Sequence, residues 1–293
     1  MSVKTVKKRR KRRISKLAIL PNLLTLGNGI CGLGAISLVT RGDQLTAADQ
    51  QLFQAGLLIF LGMLFDLFDG QVARLTKQTS RFGAELDSLC DVITFGVAPM
   101  FIMLRFSGMF SERLLWGVGA LYVACTTMRL ARYNVEQANP SGSGSFFGLP
   151  SPAAAGTIAA FAIGLSGLRD WTDAANSEAK QLIGMRLIDT ATIVLPLLTL
   201  ALAFLMVSRV RYPHVFNQFL RGKFSFYQLV EIVFIVGAVL IVQEVALPVL
   251  FCCFVLSPFV RPGFLSAFRG APAKPVVTPN EVVTGSDEHG GAK

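Results

Sequence analysis

The chain has 293 residues, of which 52% are hydrophobic and only 16% are charged, and its net charge is +10. Soluble domains carry about 25% charged residues, so the composition excludes an ordinary soluble domain. Between the charges lie apolar runs of roughly 18–22 residues, the length a helix needs to cross a hydrocarbon core about 30 Å thick. The sequence therefore predicts an all-helical, polytopic transmembrane bundle.

The first sixteen residues form a strongly basic segment. They contain nine of the 28 Lys and Arg residues and no acidic residue. Such clusters also occur in nucleic-acid-binding proteins. Ahead of a membrane span, however, we favour a topology determinant that contacts anionic headgroups, at about 1 kcal/mol per residue. We therefore expect no nucleic-acid partner, and we assign 1–16 to the cytoplasm.

Eight spans follow from the apolar runs, although six or seven remain possible. The weakest boundary is Gln243–Glu244, where we expect a tight turn to divide one long apolar stretch. The predicted spans are 19–40, 50–74, 84–104, 113–133, 149–168, 188–207, 224–242 and 245–261.

The basic residues also predict the orientation, because Lys and Arg accumulate in cytoplasmic loops. With eight spans and a cytoplasmic N-terminus, 22 of the 28 fall inside. Both termini and the hairpin tip at 66–91 are then cytoplasmic. Residues 263–293 are rich in Pro, Gly and polar side chains, which predicts a disordered tail. The six outside residues are Arg41, Arg105, Arg113, Arg169, Lys180 and Arg186.

Four aspartates lie between the second and third spans, in DLFDGQVARLTKQTSRFGAELDSLCD at 66–91. A charge facing the bilayer centre costs about 2.5–3.5 kcal/mol, so these carboxylates must face a polar site. Helical geometry places Asp66 and Asp69 on one stripe and Asp87 and Asp91 on one stripe of the next helix. The short loop makes the helices antiparallel neighbours, so we expect the four side chains to converge.

Converging carboxylates in a partly dry site cannot all stay ionised unaided. Two divalent cations would neutralise them, and all-oxygen ligands suit Mg²⁺ or Mn²⁺. Gly70, Ala73 and Gly83 would let a ligand approach the backbone, and Arg74 and Ser80 suit phosphate oxygens. The set predicts a phosphoryl-transfer site. An ion pathway in a transporter, or a structural ion-pair network, remains open at this point.

The first span carries a stripe about 120° wide of polar and small residues. It has two interpretations: contacts to a bound ligand, or close packing of small residues between helices. The stripe consists of Asn22, Thr25, Asn28, Gly29 and Gly32.

The spacing D-x2-D-G-x2-A-R-x8-G-x3-D-x3-D over 66–91 resembles the signature of the CDP-alcohol phosphatidyltransferase family. The resemblance implies an integral membrane enzyme, homodimeric, with a cytoplasm-facing cleft. Such enzymes transfer a phosphatidyl group from a CDP-linked lipid to an alcohol and release CMP. Five flanking motifs look like the membrane-bound phosphatidylserine synthase branch, and with them the resemblance covers 17–262. They are PNLLTLGNGICGLGAI, FGVAP, RLARYN, FFGLPSPAAA and MVSRVRYP.

The same resemblance implies roles for individual residues. Asp66, Asp69 and Asp87 would bind one metal ion, and Asp66, Asp87 and Asp91 a second. Asp91 would also be the catalytic base. The implied contacts to the CDP-lipid are Asn22, Thr25, Gly70, Ala73, Arg74, Ser80 and Gly83.

The branch implies CDP-diacylglycerol and serine as substrates. Arg129 and Arg132, three residues apart, could bind the serine carboxylate, and Asn134 follows them. Both arginines could equally be cytoplasmic anchors. Glycerol phosphate, inositol phosphate or choline remain alternative acceptors, and ether-linked lipid an alternative donor. We expect an integral protein of the bacterial cytoplasmic membrane.

Overall fold

A computed structural model describes residues 20–41, 45–75, 81–106, 109–138, 148–172, 176–208, 210 and 243–260. Every regular element within these ranges is a helix, so the predicted all-helical class is confirmed. The predicted basic segment 1–16, the seventh span 224–242 and the tail 263–293 lie outside the described residues.

The helices are numbered here in chain order. The third predicted span is built from three consecutive segments, two α-helical and one π-helical. The elements are α1 (Leu20–Thr40), α2 (Leu45–Leu75), α3 (Arg81–Asp91), a π-helix (Val92–Val97), α4 (Ala98–Phe106), α5 (Glu112–Ala138), α6 (Ser151–Asp170), α7 (Glu178–Val207) and α8 (Gln243–Val260).

Six stretches in the described part are long and apolar enough to cross a membrane, and they match the first six predicted spans. The protein is therefore an integral membrane protein. The largest difference is at α7, which begins at Glu178 rather than at the predicted 188. Charged residues in its first turns hide this start from a hydropathy argument, although a helix tolerates them where they are exposed. The α8 helix covers most of the last predicted span, 245–261.

The α6 helix lies in the middle of the bundle and packs against α2, α7 and α8. It is rich in alanine, and most of its side chains are buried. Its approach to α2 is close, since a Cβ at Gly56 would lie 2.9 Å from the carbonyl oxygen of Ala159. Small residues let helix backbones approach in this way inside membranes. The close packing sets the position of α2, which carries Asp66 and Asp69.

The π-helix interrupts the third span directly after Asp91. Pro99 has no N–H to offer the carbonyl of Phe95, four residues earlier, as a regular α-helix would require. The hydroxyl of Tyr122 on α5 donates to this carbonyl over 3.1 Å, and Tyr122 is fully buried. A partner from a neighbouring helix therefore stabilises the irregular segment, and π-helical turns are frequent at functional sites.

The segment before α6 is fastened to the end of α7 by two backbone hydrogen bonds. The N–H of Gly148 donates to the carbonyl of Val210 over 2.9 Å, and that of Leu149 to Leu205 over 3.1 Å. Gly148 has φ of 89°. A Cβ there would lie 2.3 Å from the carbonyl oxygen of Met206. Only glycine fits this position, both conformationally and sterically.

We expect Gly148→Ala to destabilise the fold. The left-handed conformation alone costs a residue with a Cβ about 1–2 kcal/mol, and the collision with Met206 adds to this. Thermal unfolding in detergent, followed by tryptophan fluorescence, measures the effect. The matched control is Gly117→Ala, because a Cβ at Gly117 meets nothing within 4 Å. Equal unfolding temperatures for the two variants would contradict the assignment.

Candidate active site

Three of the four aspartates meet where α2 and α3 face each other. Carboxylate oxygens of Asp66, Asp69 and Asp87 all lie within 4.8 Å of one another. Asp69 is only 5% exposed, whereas Asp66 and Asp87 are half-buried. Residues 76–80, which join the two helices, are outside the described ranges. The convergence predicted for these three side chains is therefore present in the fold.

Asp91 lies one turn further along α3 and is 8% exposed. It is not a member of the three-carboxylate group. It remains close enough to interact electrostatically with Asp66 and Asp87. Its Oδ1 accepts a hydrogen bond from Nδ2 of Asn28 over 2.9 Å. Asp91 is thus a buried carboxylate that has a side-chain amide as its hydrogen-bond partner.

The α1 helix supplies a second donor to the site. The hydroxyl of Thr25 lies 2.9 Å from Oδ2 of Asp69 and 3.0 Å from the carbonyl oxygen of Pro21. Its single proton is shared between these two acceptors. Thr25 is 4% exposed. The family resemblance implies that Thr25 contacts the CDP-lipid. In the structure, its side chain contacts the carboxylate of Asp69. Asn22, one turn earlier on α1, is half-buried.

The two glycines of the α1 stripe serve helix packing. A Cβ at Gly29 would lie 2.9 Å from Sγ of Cys90, and one at Gly32 would lie 2.5 Å from Oγ1 of Thr94. Both positions keep α1 close to the third span. Of the two interpretations of the stripe, packing therefore holds for Gly29 and Gly32, whereas Thr25 and Asn28 present polar atoms to the aspartates.

Arg129 brings a positive charge close to the aspartates. Its Nη1 donates to Oγ of Ser151 over 2.8 Å, and its charge interacts with Asp66 and Asp91. Its Nε is buried and has no hydrogen-bond partner among the described residues. The side chain is thus held at one end and retains a donor for a further ligand. Ser151 lies within the FFGLPSPAAA motif, but the motif alone does not predict its contact with Arg129.

The other two residues predicted to bind serine have different surroundings. Arg132 lies 3.6 Å from a carboxylate oxygen of Glu136, one turn along α5, and its side chain is 37% exposed. Nδ2 of Asn134 donates to Oγ of Ser88 over 2.8 Å, which ties α5 to α3. Arg129, by contrast, lies close enough to Asp66 and Asp91 to interact with their carboxylates electrostatically.

The residues predicted to contact the CDP-lipid are only partly described. Gly70 and Gly83 are half-buried on α2 and α3, on the helices that carry the aspartates. Ala73 and Arg74 belong to the last turn of α2, but their side chains lie outside the described set, and so does Ser80.

The donor set fits a divalent cation. Three carboxylates offer oxygen ligands from two helices, and oxygen is the ligand that Mg²⁺ and Mn²⁺ prefer. Oδ1 of Asp87 is buried and lacks a hydrogen-bond partner among the described residues. An unpartnered carboxylate oxygen in a buried site is costly, and a cation would remove this cost.

The comparisons of this chain with known proteins agree on one family. The family model for CDP-alcohol phosphatidyltransferase matches residues 18–255. The chain is 41% identical over 142 residues to the CDP-diacylglycerol–serine O-phosphatidyltransferase of Helicobacter pylori, covering 48% of this chain and 56% of that protein. The chain thus spans little more than half the length of that relative. The Bacillus subtilis protein of the same name is 32% identical over 201 residues, 67% of this chain and 90% of its own.

The chain is also similar to an archaeal protein and to a solved structure. The archaetidylserine synthase of Methanothermobacter thermautotrophicus is 38% identical over 152 residues, 51% of this chain and 60% of its own. Among solved structures, the phosphatidylinositol phosphate synthase of Mycobacterium tuberculosis with CDP-DAG bound is 22% identical, with a TM-score of 0.36. That match covers 63% of this chain and 86% of the solved one.

We expect Mn²⁺ to raise the unfolding temperature of the protein in detergent, and Asp87→Asn to remove most of that rise. Binding at a concentration of 100 times Kd stabilises a fold by about 2.7 kcal/mol. In chelator, Asp87→Asn should unfold at or above the wild-type temperature, because removing one of several like charges relieves repulsion. Glu85→Gln, an exposed carboxylate on the same helix, is the matched control. An undiminished Mn²⁺ effect in Asp87→Asn would contradict a cation site at this cluster.

Proposed function

The chain belongs to the CDP-alcohol phosphatidyltransferase family, and on that premise we propose that it transfers the phosphatidyl group of CDP-diacylglycerol to L-serine. The products are phosphatidylserine and CMP. The observation that carries the proposal is the meeting of Asp66, Asp69 and Asp87 at one end of two membrane-spanning helices. Relatives from Helicobacter and Bacillus bear the name of this serine-dependent activity.

Asp66, Asp69, Asp87 and Asp91 would together hold two divalent cations, Mg²⁺ or Mn²⁺. When bound, such cations neutralise phosphate charge and stabilise the charge that develops on the leaving group. Gly70, Ala73, Arg74, Ser80 and Gly83, with Asn22 and Thr25 of α1, would accommodate the CDP portion of the lipid.

Asp91 would act as the general base. Its carboxylate takes the proton of the serine hydroxyl as the oxygen attacks the phosphorus that bears the diacylglycerol. A new P–O bond forms to serine, and the P–O bond to CMP breaks, so CMP leaves with the electron pair. Burial and the hydrogen bond from Asn28 hold this carboxylate in one place, as general-base catalysis requires.

Arg129 is the residue that we favour for the serine carboxylate. It combines a fixed position, through Ser151, with a buried Nε that has no described partner. A guanidinium can bind a carboxylate through two parallel hydrogen bonds. Arg132 and Asn134 would have supporting roles, because Arg132 pairs with Glu136 on its own helix and Asn134 ties α5 to α3.

The active site would lie in a cleft at the cytoplasmic face of the bacterial cytoplasmic membrane. The excess of Lys and Arg in the inside loops supports this orientation, with both termini cytoplasmic. Residues 17–262 would form one catalytic membrane domain, in contact with membrane lipids, between the basic segment 1–16 and the tail 263–293. The family resemblance supports a homodimer.

An acceptor panel tests the proposal. Purified protein receives CDP-diacylglycerol and Mn²⁺ or Mg²⁺, with serine, glycerol phosphate, inositol phosphate or choline added in turn, and CMP is measured by chromatography. We expect release with serine alone. Release with another alcohol would keep the family chemistry and reject serine. If no alcohol supported the release of CMP, the proposed transferase activity would be rejected. Ion transport, which intramembrane carboxylates also serve, would then be the alternative function.

We expect Arg129→Gln to raise the KM for serine, with little change in the KM for CDP-diacylglycerol. A hydrogen bond to a charged group contributes about 1.5–3 kcal/mol, which corresponds to roughly a tenfold to hundredfold change in affinity. Arg113→Gln, at the opposite end of the same helix, is the control. An unchanged KM for serine in Arg129→Gln would exclude this residue as the carboxylate ligand.

A further inference from the structure

The structure points to Asn28 of α1 as a positioning residue for Asp91. We propose that its amide fixes the rotation of the Asp91 carboxylate and thereby sets which oxygen faces the reacting hydroxyl. This inference rests on the proposed function, because Asp91 matters here as the general base. Asn28 itself acts through Asp91 and is assigned no contact with substrate.

The contact between the two residues is short and sheltered. Nδ2 of Asn28 donates to Oδ1 of Asp91 over 2.9 Å. Asn28 is 0% exposed and Asp91 is 8% exposed. A hydrogen bond that donates to an ionised carboxylate is among the stronger ones in proteins. The bond turns Oδ1 towards Asn28 and leaves Oδ2 on the side of the carboxylate away from this amide.

The orientation of the Asn28 amide follows from its surroundings. The reversed amide would turn its carbonyl oxygen towards the carboxylate, placing two acceptors together without a proton between them. In the observed orientation Oδ1 of Asn28 has no hydrogen-bond partner among the described residues. It lies towards α2, where a Cβ at Gly62 would come within 2.9 Å. The Asn28 amide thus donates to Asp91 through Nδ2, while its Oδ1 has no partner among the described residues.

Asn28 is also held through its main chain. Oγ1 of Thr94, in the π-helix, donates to the main-chain carbonyl of Asn28 over 2.9 Å. Asn28 therefore bonds to the third span at two points, through its side chain to Asp91 and through its main chain to Thr94. The absence of side chains at Gly32 and Gly62 permits this approach, because a Cβ at either would collide with Thr94.

The placement matters because Asp91 is the last residue before the π-helix begins. The backbone changes from α-helical to π-helical hydrogen bonding directly after Asp91. Regular α-helix therefore precedes this residue but does not follow it. The hydrogen bond from Asn28 on α1 constrains the Asp91 carboxylate from a second helix. Partners that orient metal-ligating side chains typically contribute a factor of about 10–100 in metal affinity or activity, and Asp91 is proposed above as such a side chain.

The test compares Asn28→Leu and Asn28→Asp with the wild-type full-length protein. Both variants approximate the shape of asparagine, and neither offers the amide donor. We expect kcat for serine-dependent CMP release to fall by about 10- to 100-fold, while the KM values for serine and CDP-diacylglycerol stay unchanged. In an Asp91→Asn background, where the base is already lost, Asn28→Leu should cause no further loss.

A merely structural role predicts a different pattern. It would lower the unfolding temperature in chelator and reduce the yield of active protein without a selective loss of kcat. Wild-type kcat in both Asn28 variants would overturn the inference. If neither variant folds, Thr94→Val decides instead, because it frees the Asn28 carbonyl without changing the amide. We expect a smaller but measurable loss of kcat there, and an unchanged kcat would overturn the inference.

The wild-type protein separates this inference from the proposed function. A wild type that is inactive with every acceptor rejects both. An active wild type whose Asn28 variants remain fully active rejects the positioning role alone. Thr199→Val is the matched control for substitution of a buried polar residue in a span, since the Thr199 hydroxyl bonds only to Leu195 of its own helix among the described residues.

Discussion

The structure depends on one electrostatic constraint: several carboxylates lie together within membrane-spanning helices. Asp66, Asp69 and Asp87 come within 4.8 Å of one another, and Asp91 is buried beside them. Unpaired, these charges would be strongly unfavourable in a low-dielectric site. The fold compensates with donors from α1 and with the charge of Arg129, and a bound cation would complete the compensation.

The compensating groups can reach the carboxylates because the helices pack closely. Gly29, Gly32 and Gly62 leave no room for a side chain between α1, α2 and the third span. The π-helix that follows Asp91 has its Phe95 carbonyl paired by Tyr122, so the irregular turn does not leave this polar group exposed to lipid. Close packing and polar satisfaction are therefore parts of one arrangement around the aspartates.

Helical periodicity was sufficient to predict that Asp66, Asp69 and Asp87 converge, because side-chain direction on two antiparallel helices is fixed by spacing alone. It also placed Thr25 and Asn28 on one face of α1. It did not identify the partner of either residue, which depends on how deeply α1 sits against α3. The contact between Arg129 and Ser151 joins α5 to α6 across 22 positions, and helical periodicity within one segment does not predict how two helices meet. Hydropathy does not predict the π-helix because it does not report backbone register, and it does not predict the early start of α7 because the first turns of that helix carry charged residues.

The most direct test of a cation site at these carboxylates is anomalous X-ray diffraction from crystals of the full-length protein grown with Mn²⁺. We expect an anomalous peak between Asp66, Asp69 and Asp87, about 2 Å from their carboxylate oxygens, as for hard divalent cations. A fully occupied Mn²⁺ peak elsewhere in the protein, with none at these three residues, would contradict it.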